Sequence, residues 1–512
     1  MIDRRAPWIA ALVALVAALA TMTSDPIGGF NDDGLYLLMA KALAGGQGFV
    51  YPHLPGLPPA IHYPPVWPLI LAAAWKVGPE FPGNLAWFKL INPIVLAAAA
   101  AGAVVLGRRL LGLSSWVALG AVVAATITVP VLLLTNLLLS EPLFLALLPP
   151  TLLVGERLVR DGGARRAIAG AALVALLVLV RTLGGVVIVA EALLLARARR
   201  WRELAIYLGV ATLLLLPWQL YVWRATPGFP VELKGSYGPY LEWVADGYRS
   251  GGLSFLGAVV AKNLADTWTM IGVFTSPLVG GTTRHGMAAL ATLIFAVGLV
   301  VAARRDRAPV TALAIAGYLG VVIAWPFWVD RFLWVIWPLV VLLSVAGVVT
   351  LAEEWRARGR TRAARTAFAL LAIVVVGHTV YNARGLARGW ATSASRNQTG
   401  AGILLARQVN QDRSLDGKLL AAELAPMLAI YTGERVLPVE ILAPRDHVVE
   451  KTAAEHVDEL ERIDRRFRPE AYLVMHAGPF YPALLAAHLD SGRVLIDVSP
   501  RGAPARTLKV QR

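Results

Sequence analysis

Cysteine is absent from the 512 residues, and charged side chains make up only 16% of them. The first absence excludes disulfides, thiolate metal centres and a cysteine nucleophile. The second, together with 57% hydrophobic residues and a mean hydropathy of +0.62, excludes an ordinary soluble chain. Also missing are a Gly-rich phosphate loop or paired-His metal spacing in the C-terminal portion, and any internal repeat.

What is present is apolar sequence in runs of membrane-spanning length, about 17–25 residues each. They recur at Pro7–Met22, Trp87–Leu106, Trp116–Leu134, Leu137–Gly155, Ala167–Val180, Leu183–Leu195, Leu204–Trp223, Met287–Ala302, Val310–Phe327, Leu333–Leu351 and Ala364–Val380. The expectation is a polytopic α-helical membrane protein with about eleven spans. The first span, with Arg4 and Arg5 ahead of an apolar core and Ala18-Leu19-Ala20, imitates a signal peptide. Its retention is expected, because the alternation of the later loops needs it.

Basic residues orient these spans. With Arg4 and Arg5 cytoplasmic, alternation puts Arg108/Arg109, Arg157–Arg166, Arg197–Arg202, Arg304–Arg307 and Arg356–Arg365 on the same side, 20 of the 32 Lys and Arg before residue 396. This positive-inside bias predicts a cytoplasmic N-terminus and, after an odd number of spans, an extracytoplasmic C-terminal segment. The net charge of +15 has the same origin, since residues 396–512 carry 16 basic and 15 acidic side chains. A nucleic-acid partner is not implied.

Two long connections, at 25–86 and 224–284, fall on the outer face, and loops of that length usually work for the protein. The first holds two adjacent carboxylates, Asp32 and Asp33, just beyond a span. A charge there is costly, so it is a candidate for function, and a carboxylate can serve as general base. The competing reading is a helix cap, Asn31 or Asp32 capping Gly34–Leu43. Leu35, Leu38, Met39 and Ala42 recur at helical spacing, and Tyr63–Val77 reads as a second helix with Pro64 and Pro65 at its start. Both are expected to lie along the membrane surface. The second connection, with Tyr240, Trp243, Tyr248 and Trp268, has the aromatic content of an interfacial segment. Two domains follow: residues 1–385 in the membrane and an α/β domain at 396–512. The latter has expected strands at Lys418–Ala422, Ala471–His476 and Arg493–Val498 and helices at Ala425–Tyr431, Val449–Phe467 and Pro482–Leu489.

Asp32-Asp33 with Tyr36, the Gly45-Gly46-Gln47-Gly48-Phe49 tail and His62-Tyr63-Pro64-Pro65-Val66-Trp67-Pro68 resemble the first outer loop of the GT-C superfamily of membrane glycosyltransferases. Within it the match looks most like the branch of the protein O-mannosyltransferases and the lipid A aminoarabinose transferase. Ser140-Glu141-Pro142, Val180-Arg181-Thr182 and Asp330-Arg331-Phe332 support the resemblance. It implies inverting transfer of a sugar from a polyprenyl-phosphate donor to a hydroxyl of a glycan, lipid or protein acceptor, at the outer face of a bacterial-type inner or plasma membrane. Asp32 aligns with the family's leading acid. Asp33 stands where the family often has Glu, which leaves open which of the two is the base. Arg181 and Arg331, isolated from the cytoplasmic clusters, are candidates to meet the departing lipid phosphate, although lone arginines at span ends also snorkel to headgroups. Tyr36, His62, Tyr63, Glu141 and, in the second outer loop, Lys262 complete the candidate substrate-binding set. No cofactor is required by the sequence; Asp32, Asp33 and Glu141 are hard ligands that could hold a divalent ion.

Two other classes compete. A lipid or solute transporter would place ionisable groups or broken helices near mid-membrane and show repeats. A non-catalytic scaffold would present the outer domain and need neither the acid pair nor two long outer loops.

Overall fold

The computed structural model describes residues 2–78, 80–304, 307–475, 480–490, 494–497 and 505–511. The helices in order are α1 Ile2–Thr21, α2 Asp32–Ala44, α3 Val66–Val77, α4 Leu85–Arg109, α5 Ser115–Thr126, α6 Val129–Asn136, α7 Glu141–Asp161, α8 Ala164–Val180, α9 Gly185–Arg197 and α10 Trp201–Ala225. They continue as α11 Lys234–Tyr237, α12 Tyr240–Thr275, α13 Gly281–Ala302, α14 Pro309–Ala324, α15 Val329–Ala357, α16 Thr361–Ala387 and α17 Trp390–Gln411.

Among the described residues seven helices are long and apolar enough to cross a membrane: α1, α4, α7, α10, α13, α15 and α16. An eighth exists if α5 and α6, bent by 62°, are one span. By length and composition, then, seven or eight helices qualify, against the eleven spans expected. The other apolar runs are helical but short. At 1.5 Å per residue, the 17, 13 and 16 residues of α8, α9 and α14 reach about 20–26 Å, less than a hydrocarbon core of about 30 Å. The break between α8 and α9 has a local cause. Arg181 is extended (φ −149°), a 3₁₀ turn follows at Thr182–Gly184, and a Cβ on Gly184 would lie 2.9 Å from the Val178 nitrogen.

The arginine clusters gather at one end of the bundle, where Arg160 donates to the Arg307 carbonyl, Arg200 to the Val159 and Arg160 carbonyls, and Arg304 pairs with Glu354. At the other end the first connection folds inward. Helix α2 is not a surface helix: Asp33 to Ala40 are all buried. The second connection is mostly helix rather than loop. Helix α12 is broken at Gly252 (φ 57°, ψ −147°), and beyond the break Asn263 donates to the Val322, Ile323 and Trp325 carbonyls, fastening α12 to the end of α14.

The α/β domain has a five-stranded sheet in the order β2-β1-β3-β5-β4, with β1 Leu419–Ala422, β2 Arg435–Pro438, β3 Ala471–Met475, β4 Val494–Asp497 and β5 Ala505–Gln511. Strands β1, β2 and β3 are mutually parallel, and β5 runs antiparallel to β3 and β4. Helices α18 Ala425–Thr432, α19 Ala453–Phe467 and α20 Phe480–Asp490 match the expected positions, whereas β2, β5 and α17 were not expected. His476, Arg493 and Val498, at the ends of expected strands, lie outside the described residues. The domain docks directly on the first connection. The Ile27 amide donates to the Tyr431 hydroxyl (3.1 Å), the Val436 amide donates to the His53 carbonyl (2.9 Å), and Met427 lies against Gly28.

Candidate active site

Four helix ends converge where the bundle meets this domain. Asp32 is the first residue of α2, Glu141 the first of α7, Arg181 the residue after α8, and Arg331 the third of α15. Three of these placements suit the helix dipole: acids at the starts of α2 and α7, a cation at the end of α8. Arg331 opposes the dipole of α15 and is held instead by two carboxylates. Its Nη1 donates to Asp32 Oδ2 at 2.7 Å and its Nε donates to Glu141 Oε1. Arg181 Nη1 reaches Glu141 Oε2 at 2.8 Å and Ser140 Oγ at 3.1 Å, and its guanidinium lies over the Phe332 ring. Tyr63 donates its hydroxyl to Asp32 Oδ1 at 2.7 Å, and the Tyr36 hydroxyl meets Ser140 Oγ at 3.1 Å. The result is a neutral quartet of two carboxylates and two guanidiniums.

Burial alone would raise the Asp32 carboxyl. The Arg331 charge, the hydrogen bonds from Tyr63 and Arg331 and the nearby His62 outweigh it and hold the carboxyl below its ordinary value. His62 moves down because burial disfavours its charged form more than Gly238 and Asp32 favour it, so it is neutral at pH 7. Its Nδ1 is 2.6 Å from the Gly238 carbonyl, which makes Nδ1 the donor.

A cavity of about 510 Å³ opens on the quartet, lined by Asn31, Asp32, Tyr36, His62, Tyr63, Arg181 and Arg331 among others. The sequence candidates thus divide. Asp32, Tyr36, His62, Tyr63, Arg181 and Arg331 line the cavity, and Glu141 stands fully buried behind the two arginines. Asp33 is turned away from it. Its Oδ2 accepts from the Gly28 amide (2.8 Å) and its Oδ1 from those of Phe30 (3.1 Å) and Gly34 (2.9 Å), so it clamps the turn before α2. Burial pushes its carboxyl up despite these three donors. Neither expected cap forms: Asn31, at the N-cap position with φ 59°, makes no side-chain cap bond, and Asp32 is already helical. Lys262 is also elsewhere, paired with Asp266 one turn along α12 at 2.9 Å.

Sequence reasoning missed Asn31, Trp325 and Trp328 at the cavity, and Glu423 and Glu440 from the α/β domain. The tryptophans sit at the ends of apolar runs, where they read as membrane-interface residues. The two glutamates look like solvated surface acids until the strand order is known.

A metal ion does not fit this donor set. Among the described residues no group of three His, Cys, Asp or Glu could hold one. Asp33 points away, and Asp32 and Glu141 already face guanidiniums.

No family model matches the chain, and no curated protein matches it. Solved structures do. ArnT from Cupriavidus metallidurans bound to undecaprenyl phosphate superposes with a TM-score of 0.58 at 16% identity, covering 98% of this chain and 97% of that one. The same protein in the apo state gives 0.52 at 15% identity over 98% and 97%. The Archaeoglobus fulgidus oligosaccharyltransferase in the apo form gives 0.53 at 13% identity, over 95% of this chain and 71% of that one. Alignments that run the length of this chain at such low identity are a likeness of fold: the chain shares the overall architecture of these structures, a helical bundle with a small α/β domain beyond it.

Proposed function

We propose that the chain transfers a sugar from a polyprenyl-phosphate donor to an acceptor hydroxyl at the membrane face that bears the α/β domain, which the basic-residue bias makes the outer face. The observation that carries this reading is the Asp32–Arg331–Glu141–Arg181 quartet at the floor of one cavity. In the reaction the acceptor oxygen attacks the anomeric carbon from the face opposite the phosphate, with inversion. Asp32 takes the hydroxyl proton, the bond from the anomeric carbon to the phosphate oxygen breaks, and the prenyl phosphate leaves with the electron pair. Arg331 and Arg181 offset the charge it carries away. Val180, Leu183, Phe332 and the exposed Trp328 flank the two arginines and offer the prenyl chain an apolar route back to the bilayer.

The quartet also supplies an order of events. Without donor, Arg331 masks the base. A lipid phosphate that takes hydrogen bonds from Arg331 competes with Asp32 for it and so restores the carboxylate's basicity only when substrate is in place. Binding of polyprenyl phosphate to the purified protein tests the donor site. Arg331→Ala is expected to weaken it about ten- to a hundredfold, and Arg331→Lys, which keeps the charge but loses the planar fork, by less. Equal binding by wild type and the Ala variant would leave Arg331 as a snorkelling anchor and reject the assignment.

A further inference from the structure

Part of the cavity lining has no role in the proposed phosphate binding and proton transfer. It is walled by the α/β domain: Glu423 and Leu424 just beyond β1, and Val439 and Glu440 just beyond β2. Because β1 and β2 are parallel, both carboxyl ends open in the same direction, into the crevice where α/β sheets hold their ligands. This wall is fixed relative to Asp32. A Cβ on Gly34, two residues along α2, would lie 2.8 Å from the Pro426 Cβ of α18. Beside the wall stand Tyr240, Trp243, Trp325 and Trp328. The Trp243 indole donates to the Leu442 carbonyl at 2.9 Å, and the Trp325 ring lies 5.8 Å from both Tyr240 and Trp243. Glu440 is exposed, lines the cavity and, among the described residues, has no hydrogen bond or salt bridge. Of the charged groups around it, Lys451 is paired with Asp446 and Glu459.

Carboxylates that accept from hydroxyls, set beside broad aromatic faces, suit a sugar; among the described residues the only Lys or Arg lining the cavity are Arg181 and Arg331, which face Asp32, Glu141 and the proposed donor phosphate. We propose that this wall is a saccharide subsite and that the acceptor is a non-anionic glycan, its hydroxyls donating to Glu440 and Glu423 and a ring face lying on the tryptophans. The proposal rests on the transferase reading and extends it to the acceptor.

The test is titration of the full-length protein in nanodiscs, followed by tryptophan fluorescence, with mannotetraose and maltotetraose as neutral probes and tetragalacturonate as the anionic one. Polyprenyl phosphate binding is measured on the same samples. A neutral probe is expected to change the emission with a millimolar dissociation constant, and tetragalacturonate to bind at least about tenfold more weakly. Glu440→Gln, Glu423→Gln/Glu440→Gln and Trp325→Ala are expected to weaken the neutral probe by roughly five- to thirtyfold while polyprenyl phosphate binding is unchanged. No response to either neutral probe up to ~10 mM, tetragalacturonate binding as tightly as the neutral probes, or all three variants binding as wild type would overturn the subsite. Failure of the wild type to bind polyprenyl phosphate is a separate result, and counts against the donor reading instead.

Discussion

Two adjacent aspartates have opposite surroundings, and the difference follows from about 100° of helix rotation per residue. Asp32 faces the cavity with one guanidinium and one phenol on its oxygens; Asp33 faces back into its own chain and gathers three amides. Asp32→Asn should therefore cut turnover at least about a hundredfold, far more than the loss of its pair with Arg331 takes through stability. Asp33→Asn should instead leave buried amides facing an NH₂ group, cost about 1–3 kcal/mol of stability, and lower activity only through that loss. Kinetics and thermal unfolding of both variants separate the roles, and an inactive but fully stable Asp33→Asn would reverse them. The pH dependence has a definite sign. The free protein's Asp32 is held below its ordinary value against the cost of burial, chiefly by the Arg331 charge, so the acid limb of kcat/KM lies below the usual carboxylate range. If donor phosphate draws Arg331 away, the carboxylate in the complex binds its proton more readily and the acid limb of kcat lies at higher pH. Coincident limbs would refute the masked base. By the same linkage, the stability this pair supplies is present above the unfolded carboxyl value and is lost as pH falls through the folded one.

At the scale of elements, the contact between α2 and α18 decides whether the site is assembled. Gly28 has φ +100° and a would-be Cβ 2.9 Å from the Met427 backbone, so alanine there is strained in its own conformation and collides with α18. Gly28→Ala is expected to lower stability by about 1–3 kcal/mol and to loosen the domain, seen as a lower thermal midpoint and faster proteolysis near residue 396. An unchanged midpoint would mean that the turn relaxes freely. These elements also mark the boundary of what the sequence made legible. The spacing of Leu35, Leu38, Met39 and Ala42 announces α2, and Pro64-Pro65 announces the start of α3. The isolation of Arg181 and Arg331 from the basic clusters marks them as unusual. The seven-or-eight count was not legible, because an apolar run reports composition and not where the backbone bends: α5 and α6 read as one continuous span, and α8, α9 and α14 are apolar but too short. Strand β2, four residues ending in Pro438, and β5, interrupted by Arg506 and Lys509, lack the apolar run that gives β1 and β3 away. The saccharide wall was invisible for another reason. Glu423 and Glu440 acquire meaning only from the parallel pairing of β1 with β2, and no local pattern encodes pairing.

For the whole molecule, the basic end and the cavity end of the bundle are opposite, as the positive-inside bias requires if the cavity is extracytoplasmic. Reporter fusions at Gly359, between α15 and α16, and at Gly400, within α17, should then give opposite compartment signals, cytoplasmic for the first. The same signal from both would break the alternation and with it the case for an outer site. The cavity joins the first outer segment of the chain to one of the last. Asp32 leaves the ribosome early, whereas Glu423 and Glu440 follow 391 and 408 residues later, roughly 20–80 s at about 5–20 residues per second. During that interval the bundle is already inserting while the reaction chamber lacks a wall, and Asp32 and the two arginines have no enclosed space in which to act. A chain cut short by premature termination or proteolysis is left in the same condition. Such fragments hold the acids and the arginines but not the enclosure, so under the proposed function they are expected to carry out neither transfer nor hydrolysis.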